Sequence, residues 1–459
     1  MSDSLRMSGP RKDALLVAGI ALAARVAVVV WAAARIPPAA DGQFYHVIAQ
    51  RIAQGLGYTW LWPDGVVTYA AHYPVGYPAM LGGLYALFGA HPLVGMLANA
   101  VLGTGVAVLA HVIASEACSR RWALGVGIVV ALHPALVPYT AALMTEGLAM
   151  ALCMGAVALA MWARRAEGRW RVALVLGLGL ALGLGALVRP PTALLVLPLA
   201  WLATRPLQRL RMRVVHVVLA GVVSLAVVSP WLVRNQVRMG EAGLSFNGGW
   251  NLLIGTNPSA GGTFAPLEVP EACREVFDEA KKDLCFGRAA RERIAADPLG
   301  WVSLVPIKLG ATFDYCGAAG WYLHQANAEA FPYRAKVVLG VIETVYSRVV
   351  WLAALASVAW MKGPRRRVRM VLAVASGVFL FTHHGWVGVI GLLAALLLLG
   401  KMLDRVPLAV SGTAAVLGVT VLTHAAFFGG GRYGMVVLAL VATLLGGLKP
   451  GTKLTSANS

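Results

Sequence analysis

Charge is what this sequence lacks. Only 13% of its 459 residues are Asp, Glu, Lys or Arg, against roughly a quarter in ordinary soluble domains. Acid is scarcer still, with 20 Asp and Glu facing 39 Lys and Arg. That shortage excludes a soluble globular domain. In its place stand 59% hydrophobic residues and a mean hydropathy of +0.72. Apolar runs long enough for a ~30 Å hydrocarbon core recur along the chain. The fold class is therefore all-α, a polytopic integral membrane bundle. The chain also lacks internal repeats of about 20–50 residues and the paired broken helices of an inverted-repeat transporter. No small-residue cleavage site follows the first apolar run, Ala14–Arg35, which is too long for a signal-peptide core and reads as a permanent helix.

Cysteine is sparse as well, at five residues. Cys118 and Cys153 fall in or near apolar runs and read as inert packing. Cys273 and Cys285 lie in a polar stretch where a disulfide is allowed. On one continuous helix they would stand about 18 Å apart and could not bond, whereas a turn between them would let them pair. Cys316 is a third thiol in the same stretch and could compete.

The formal net charge of +19 invites a nucleic-acid partner, but its distribution argues against one. The basic residues sit in short clusters between apolar runs: Arg6, Arg11 and Lys12; Arg120 and Arg121; Arg164, Arg165, Arg169 and Arg171; Arg205, Arg209, Arg211 and Arg213; Lys362 to Arg369. Such loops are what the positive-inside rule keeps on the cytoplasmic face. With the clusters inside, the expected spans are Ala14–Arg35, Pro92–Ser115, Trp122–Tyr139, Leu143–Trp162, Arg171–Leu187, Thr192–Thr204, Val214–Val233 and Val337–Met361. Four more follow near 370–384, 386–401, 407–427 and 432–447, which makes about 12, with both termini cytoplasmic. The organisation is then residues 1–35 as N-terminus and first helix, and 36–91 as a first external loop with juxtamembrane helices. Residues 92–234 are the next spans, 235–336 a large external loop, and 337–459 the last spans and C-terminus. The expected location is the inner (plasma) membrane, with lipids as the surrounding partner.

The run Tyr77–Ala90 is too short to cross, about 21 Å at 1.5 Å per residue, and reads as a juxtamembrane or re-entrant helix. Phe44, Ile48 and Ile52 recur at helical spacing, so residues 42–54 read as an amphipathic interfacial helix. Pro37–Pro38 ends the first helix, and Asp41 is placed to cap the next.

Several short motifs occur in order along this framework. They are Asp41 with Tyr45 and Ala49, Tyr73–Pro78, Leu84–Gly89, His133-Pro134, Thr145-Glu146, Leu187–Pro190, Pro230–Asn235, Gly248–Asn257 and Gly431-Arg432-Tyr433. Together, over roughly residues 14–440, they resemble the GT-C superfamily of membrane glycosyltransferases, the group of the protein O-mannosyltransferases and the lipid A aminoarabinose transferase. The resemblance implies a polyprenyl-phosphate-linked sugar donor and an active site on the external face, with a lipid, glycan or protein as acceptor.

The residues themselves support such chemistry. Removing a sugar from a lipid phosphate needs a base near the acceptor nucleophile but no strong acid, because phosphate leaves as a stable anion. Asp41 is the candidate base, its pKa open to being raised by partial desolvation; the alternative is a simple helix cap. Glu146 is the second catalytic candidate, an acid at the outer end of an apolar run where ionisable groups are costly. Its alternative is helix-start stabilisation. Arg432, Arg234 and Arg189 fall at external helix ends, where arginine is scarce, and suit bidentate phosphate binding. Lys308, in the amphipathic segment Trp301–Phe313, is a fourth phosphate candidate. Tyr45, His72, Tyr433 and Asn251 are candidate substrate contacts, against ordinary interface-anchor and turn roles. No metal-type spacing appears among the acids and histidines. No cofactor is required, and a divalent metal stays open. A transporter or flippase for a lipid-linked or polar substrate is the competing class, and a catalytically silent assembly protein a third.

Overall fold

The computed structural model describes residues 9–204 and 209–446. Arg6, Arg205, the end of the final expected span and both termini lie outside these residues. In chain order the helices are α1 (Gly9–Ala32), α2 (Asp41–Ala53), α3 (Gly76–Phe88), α4 (Pro92–Ala117), α5 (Arg120–Ala131), α6 (Glu146–Arg165) and α7 (Gly168–Val188). Then come α8 (Val196–Leu202), α9 (Leu210–Met239), α10 (Gly248–Ile254), α11 (Glu279–Ala296), α12 (Pro298–Ser303), α13 (Val305–Phe313) and α14 (Ala318–Ala326). The chain ends in α15 (Tyr333–Trp360), α16 (Arg366–Gly377), α17 (Trp386–Leu397), α18 (Leu408–Ala426) and α19 (Gly431–Ala442).

Among the described residues, seven helices (α1, α4, α6, α7, α9, α15 and α18) are long and apolar enough to cross a membrane. The other five expected spans are shorter pieces, and proline accounts for two of them. After α5 the chain turns through His133-Pro134 and re-forms only as a 3-10 turn, Pro138–Ala141. The segment expected at Thr192–Thr204 opens as a 3-10 turn, Pro190–Leu195, before α8. A proline ring has no N–H to donate and crowds the preceding turn. The segment near 370–384 divides into α16 and the 3-10 turn Val378–Phe381, while α17 and α19 have 12 residues each.

The helices invert the soluble pattern. On α1, Val17, Ala21, Arg25, Val29 and Ala32 face inward, while Leu15, Leu22, Val26 and Val30 face out. On α9 the inward stripe is His216, Ala220, Ser224, Val228 and Trp231, and Val218, Val222, Leu225 and Val233 face out. Small or polar residues thus fill helix contacts, and large aliphatic residues meet lipid. The tightest example joins α7 to α9. A Cβ at Gly179 would lie 2.5 Å from the Ala220 carbonyl oxygen, and one at Gly183 would lie 2.9 Å from that of Ser224.

Two features complete the loop-bearing end of the bundle. Between α2 and α3, where no strand was expected, β1 (Thr59–Leu61) and β2 (Val67–Tyr69) form an antiparallel hairpin with Thr59 opposite Tyr69. The short helix α3 lies along α2, where Gly82 leaves room for Ile52. In the long polar segment, Cys273 and Cys285 are disulfide-bonded with Cα atoms 5.9 Å apart. The bond exists because Cys273 closes a 3-10 turn, Glu271–Cys273, separate from α11, so the two cysteines do not share one helix. Cys316 is free.

Because the α7–α9 contact depends on glycine, Gly183→Leu should force the helices apart. The expected cost is about 1–3 kcal/mol, read as a lowered Tm of detergent-solubilised protein, whereas the same change at Gly177 should be milder.

Candidate functional site

Asp41 opens α2 but does not cap it. The N-cap position belongs to Ala40, which makes no side-chain cap bond and has φ 50°, a conformation non-glycine residues rarely take. The expected capping role is corrected by this geometry, because the carboxylate turns away to other partners. Its Oδ1 accepts the Tyr73 hydroxyl at 2.8 Å, and its Oδ2 meets Arg432 Nη1 at 2.7 Å. The turn that delivers Asp41 is held by Tyr322 of α14, whose buried hydroxyl accepts the N–H groups of Ala39 (3.2 Å) and Leu143 (3.4 Å). Gly42 permits the approach, since a Cβ there would lie 2.7 Å from that hydroxyl.

Arg432, near the start of α19, bridges the two acids. Beyond Asp41, its Nε lies 3.8 Å from Glu146 Oε1, and its Nη2 donates to the Tyr433 hydroxyl at 3.1 Å. Glu146 is the first residue of α6 and only 1% exposed, far more than helix-start stabilisation would require. Its Oε1 accepts Arg189 Nη2, and its Oε2 accepts the Tyr139 hydroxyl at 3.1 Å. Arg189, just past the end of α7, also donates to Thr145 Oγ1 at 3.3 Å. Both guanidinium groups lie over the Tyr433 ring, at 5.2 Å for Arg189 and 5.0 Å for Arg432. His424 of α18 stacks with Tyr433 at 4.6 Å.

The structure therefore brings together Asp41, Glu146, Arg189, Arg432 and Tyr433. His72 flanks them, its ring 4.7 Å from that of Tyr73 and 5.9 Å from Trp250. Tyr45 lies beneath, 4% exposed, edge-on to Tyr73 and Tyr77. Asn251 is on α10, next to Trp250.

Two expected phosphate ligands are engaged elsewhere. Arg234 donates to the carbonyls of Tyr58 (2.6 Å) and Ala70 (3.0 Å) and to Asn235 Oδ1, with its guanidinium over the Tyr69 and Trp231 rings. Helix α9 runs on to Met239, beyond the expected end at Val233, and this places Arg234 under the hairpin as its support. Lys308 is 1% exposed, and its ammonium donates to the Ala425 and Ala426 carbonyls at 3.3 and 3.2 Å. Those are the last carbonyls of α18, where the helix dipole favours a cation. Burial pulls the Lys308 ammonium down to about 8.

The electrostatics of Asp41 run opposite to expectation. Burial alone would raise its pKa, but the Arg432 charge and hydrogen bond, with the Tyr73 bond, outweigh burial and hold it below the ordinary value. His72 is lowered by burial despite the nearby Asp41 charge. Tyr73 is raised, first by burial and then by Asp41. Among the described residues, no three His, Cys, Asp or Glu side chains come together as a metal-binding group.

Four participants carried signals in the sequence that were not assigned to them. Tyr73 and Thr145 lie inside quoted motifs, and Tyr139 follows the His133-Pro134 break. Arg25 is a charge in the middle of an apolar run, itself a mark of function in a membrane. It is 1% exposed and donates from Nη1 to the Ala21 and Ala131 carbonyls, leaving Nε and Nη2 unpaired. Arg25 lines a cavity of about 40 Å³ together with Glu146, Asn99, Tyr139 and Thr140. That is room for about three waters, and the unpaired Asn99 Oδ1 supplies a matching acceptor.

Fold and site define a polytopic helical membrane protein with a carboxylate–arginine centre at the loop-bearing end of its bundle. Residues 72–233, about a third of the chain, match the family model of dolichyl-phosphate-mannose-protein mannosyltransferase. That family lies within the group the motif order resembles. No curated protein matches the chain. Among solved structures, ArnT from Cupriavidus metallidurans bound to undecaprenyl phosphate is similar at 16% identity and TM-score 0.41, over 94% of this chain and 77% of that one. The archaeal oligosaccharyltransferase AglB from Archaeoglobus fulgidus, in complex with an inhibitory peptide and a dolichol-phosphate, is similar at 14% identity and TM-score 0.46, over 94% of this chain. The chain spans 50% of that protein's length.

The segment after β2 that carries His72 and Tyr73 into the site is held from outside. Ala71 N–H donates to Glu279 Oε1 at 2.7 Å, and the Ala71 carbonyl accepts Phe246 N–H at 2.8 Å. Burial raises Glu279 from 4.5 to about 7, against the opposing Ala71 bond and Arg234 charge. A carboxyl that binds its proton more tightly when folded stabilises most below its unfolded pKa, and the contribution fades as pH rises through the folded one. Glu279→Gln should therefore match wild type in Tm near pH 5 and exceed it near pH 8. A pH-independent difference in thermal unfolding would count against this assignment.

Proposed function

We propose that this protein is a membrane glycosyltransferase that moves a sugar from a polyprenyl-phosphate-linked donor to an acceptor on the external face. The observation that carries this reading is the partly exposed pairing of Asp41 with Arg432, their side chains 22% and 29% accessible, at the loop-bearing end of an otherwise apolar bundle. The match of residues 72–233 to a dolichyl-phosphate-mannose-dependent family supports the donor class.

The chemistry follows from the residue types. The acceptor nucleophile attacks the anomeric carbon as the bond from that carbon to the phosphate oxygen breaks. Asp41 takes the acceptor's proton, and the lipid phosphate leaves with the bonding electrons. A single displacement of this kind inverts the anomeric centre. The leaving phosphate passes from one negative charge toward two, so arginines beside it stabilise the transition state more than the bound donor. Arg432 and Arg189 fill that role, with Glu146 and Thr145 fixing their positions. Tyr433, between the two guanidinium groups, and His72 border the space left for the sugar. The positive-inside orientation of the basic loops supports an external location for this end of the bundle.

Membranes containing wild type or Asp41→Asn, supplied with a panel of polyprenyl-phosphate sugars, test the reading. Loss of a general base should lower transfer by about 100-fold or more at equal expression. Unchanged transfer in Asp41→Asn would remove Asp41 from the mechanism. Absence of transfer from every such donor, with export of a lipid-linked substrate, would favour the transporter.

A further inference from the structure

The four charged groups of the site, Asp41, Glu146, Arg189 and Arg432, sum to zero. Every nitrogen of Arg432 already faces a partner: Nη1 the Asp41 Oδ2 at 2.7 Å, Nη2 the Tyr433 hydroxyl at 3.1 Å, and Nε the Glu146 Oε1 at 3.8 Å. Arg189 is engaged by Glu146 and Thr145. Arg25 is sealed inside the bundle. Arg189 Nη1 has no hydrogen-bond partner among the described residues, so a phosphate can be met there first, but it gains Arg432 only by drawing that guanidinium from Asp41.

Exposure decides which pair gives way. Glu146 is 1% accessible within its pair with Arg189, whereas Asp41 is 22% accessible within its pair with Arg432. Separating the first pair would take a buried carboxylate from its nearest cation, at a cost of several kcal/mol. Separating the second leaves Asp41 with the Tyr73 hydroxyl on Oδ1 and solvent on Oδ2.

Resting on the glycosyltransferase reading above, we infer that the Asp41–Arg432 pair is a donor-operated latch. Without donor, Arg432 holds Oδ2 in a 2.7 Å ion pair that stabilises the carboxylate as an anion, and Asp41 is a weak base. The donor phosphate draws Arg432 away and frees Oδ2. The base is thereby switched on only when a sugar is loaded beside it, and donor binding precedes acceptor activation. The groups facing Asp41 are Tyr73, His72, Tyr45 and Arg432, with Glu146 behind Arg432. Arg432 is the one cation among them in direct contact.

The latch makes a prediction about binding whose sign a structural role would not give. The probe is a non-transferable polyprenyl phosphodiester, the methyl ester of polyprenyl phosphate, titrated into the full chain in nanodiscs. Asp41→Asn removes the competitor for Arg432 and should tighten binding by about fivefold, close to 1 kcal/mol, while Arg432→Gln should weaken it. In the Arg432→Gln background, adding Asp41→Asn should leave affinity within about twofold, because nothing remains to be released. Equal tightening in both backgrounds would reduce the effect to like-charge repulsion and overturn the latch, leaving the donor reading intact. Weaker binding by Asp41→Asn alone would also overturn it. No binding by wild type would instead overturn the donor reading on which the latch rests. Size-exclusion profiles establish folding, and Arg432→Lys, which keeps the charge, replaces Arg432→Gln if that variant is not recovered.

Discussion

Arg432 is the interaction on which the rest of this site depends. One guanidinium reaches two carboxylates from different helices, Asp41 of α2 at 2.7 Å and Glu146 of α6 at 3.8 Å. Inside a bundle wrapped in apolar side chains, an unpaired acid would be driven to neutrality or pushed to the surface. With Arg432 between them, and Arg189 behind Glu146, each acid has a cation within reach, and Asp41 keeps its charge more firmly than a free aspartate would. The helices then have no freedom to drift. The starts of α2, α6 and α19 and the end of α7 must all converge on this point.

The convergence is built from small residues and hydroxyls. Gly42 and Tyr322 bring the α2 turn against Leu143, three residues before Glu146. Gly76 lets α3 approach the Leu187 carbonyl, two residues before Arg189. Gly431 sits where a Cβ would lie 2.1 Å from the Cys316 carbonyl oxygen, so α19 can start close under the external segment with Arg432 turned inward. Ala40 carries the cost. Its φ of 50° is a strained backbone beside Asp41, of the kind that persists only where surrounding contacts over-determine it.

Much of this was legible in the sequence because charge is so rare there. In a chain with 20 acids, one just past the first apolar run and one at the edge of another were conspicuous, and the structure places Asp41 and Glu146 on the same arginine. Scarcity identifies which residues matter at an end of the bundle but not what each one touches. Arg234 and Arg432 look alike as external arginines, yet α9 extends six residues past Val233, and those turns bring Arg234 to the hairpin carbonyls. Lys308 sits on an apolar helix as expected, but its neighbour is the end of α18, more than a hundred residues away. The hairpin escaped because each strand is three residues long, too short for alternation to register. Where proline divides an apolar run, the expected span is a shorter helix joined to a 3-10 turn, as hydropathy measures burial in lipid and not helical continuity.

The arrangement of charge also bears on the competing transport reading. A transporter needs polar groups at successive depths, lining a path wide enough for its cargo. Here the basic end carries its own pairs, Asp13 with Arg120, Glu116 with Arg165 and Asp404 with Arg213. Helix α4, about 39 Å long at 1.5 Å per residue over its 26 residues, carries Asn99 at the level of the site and Glu116 at the basic end. Between the two ends lies Arg25, and its cavity of about 40 Å³ is bordered by Val106, Met144, Met150 and Met435. A space for about three waters solvates a buried charge but does not conduct a sugar or a lipid headgroup. The accessible acid–arginine pair belongs to the loop-bearing end, where the proposed donor and acceptor would meet without either crossing the bundle.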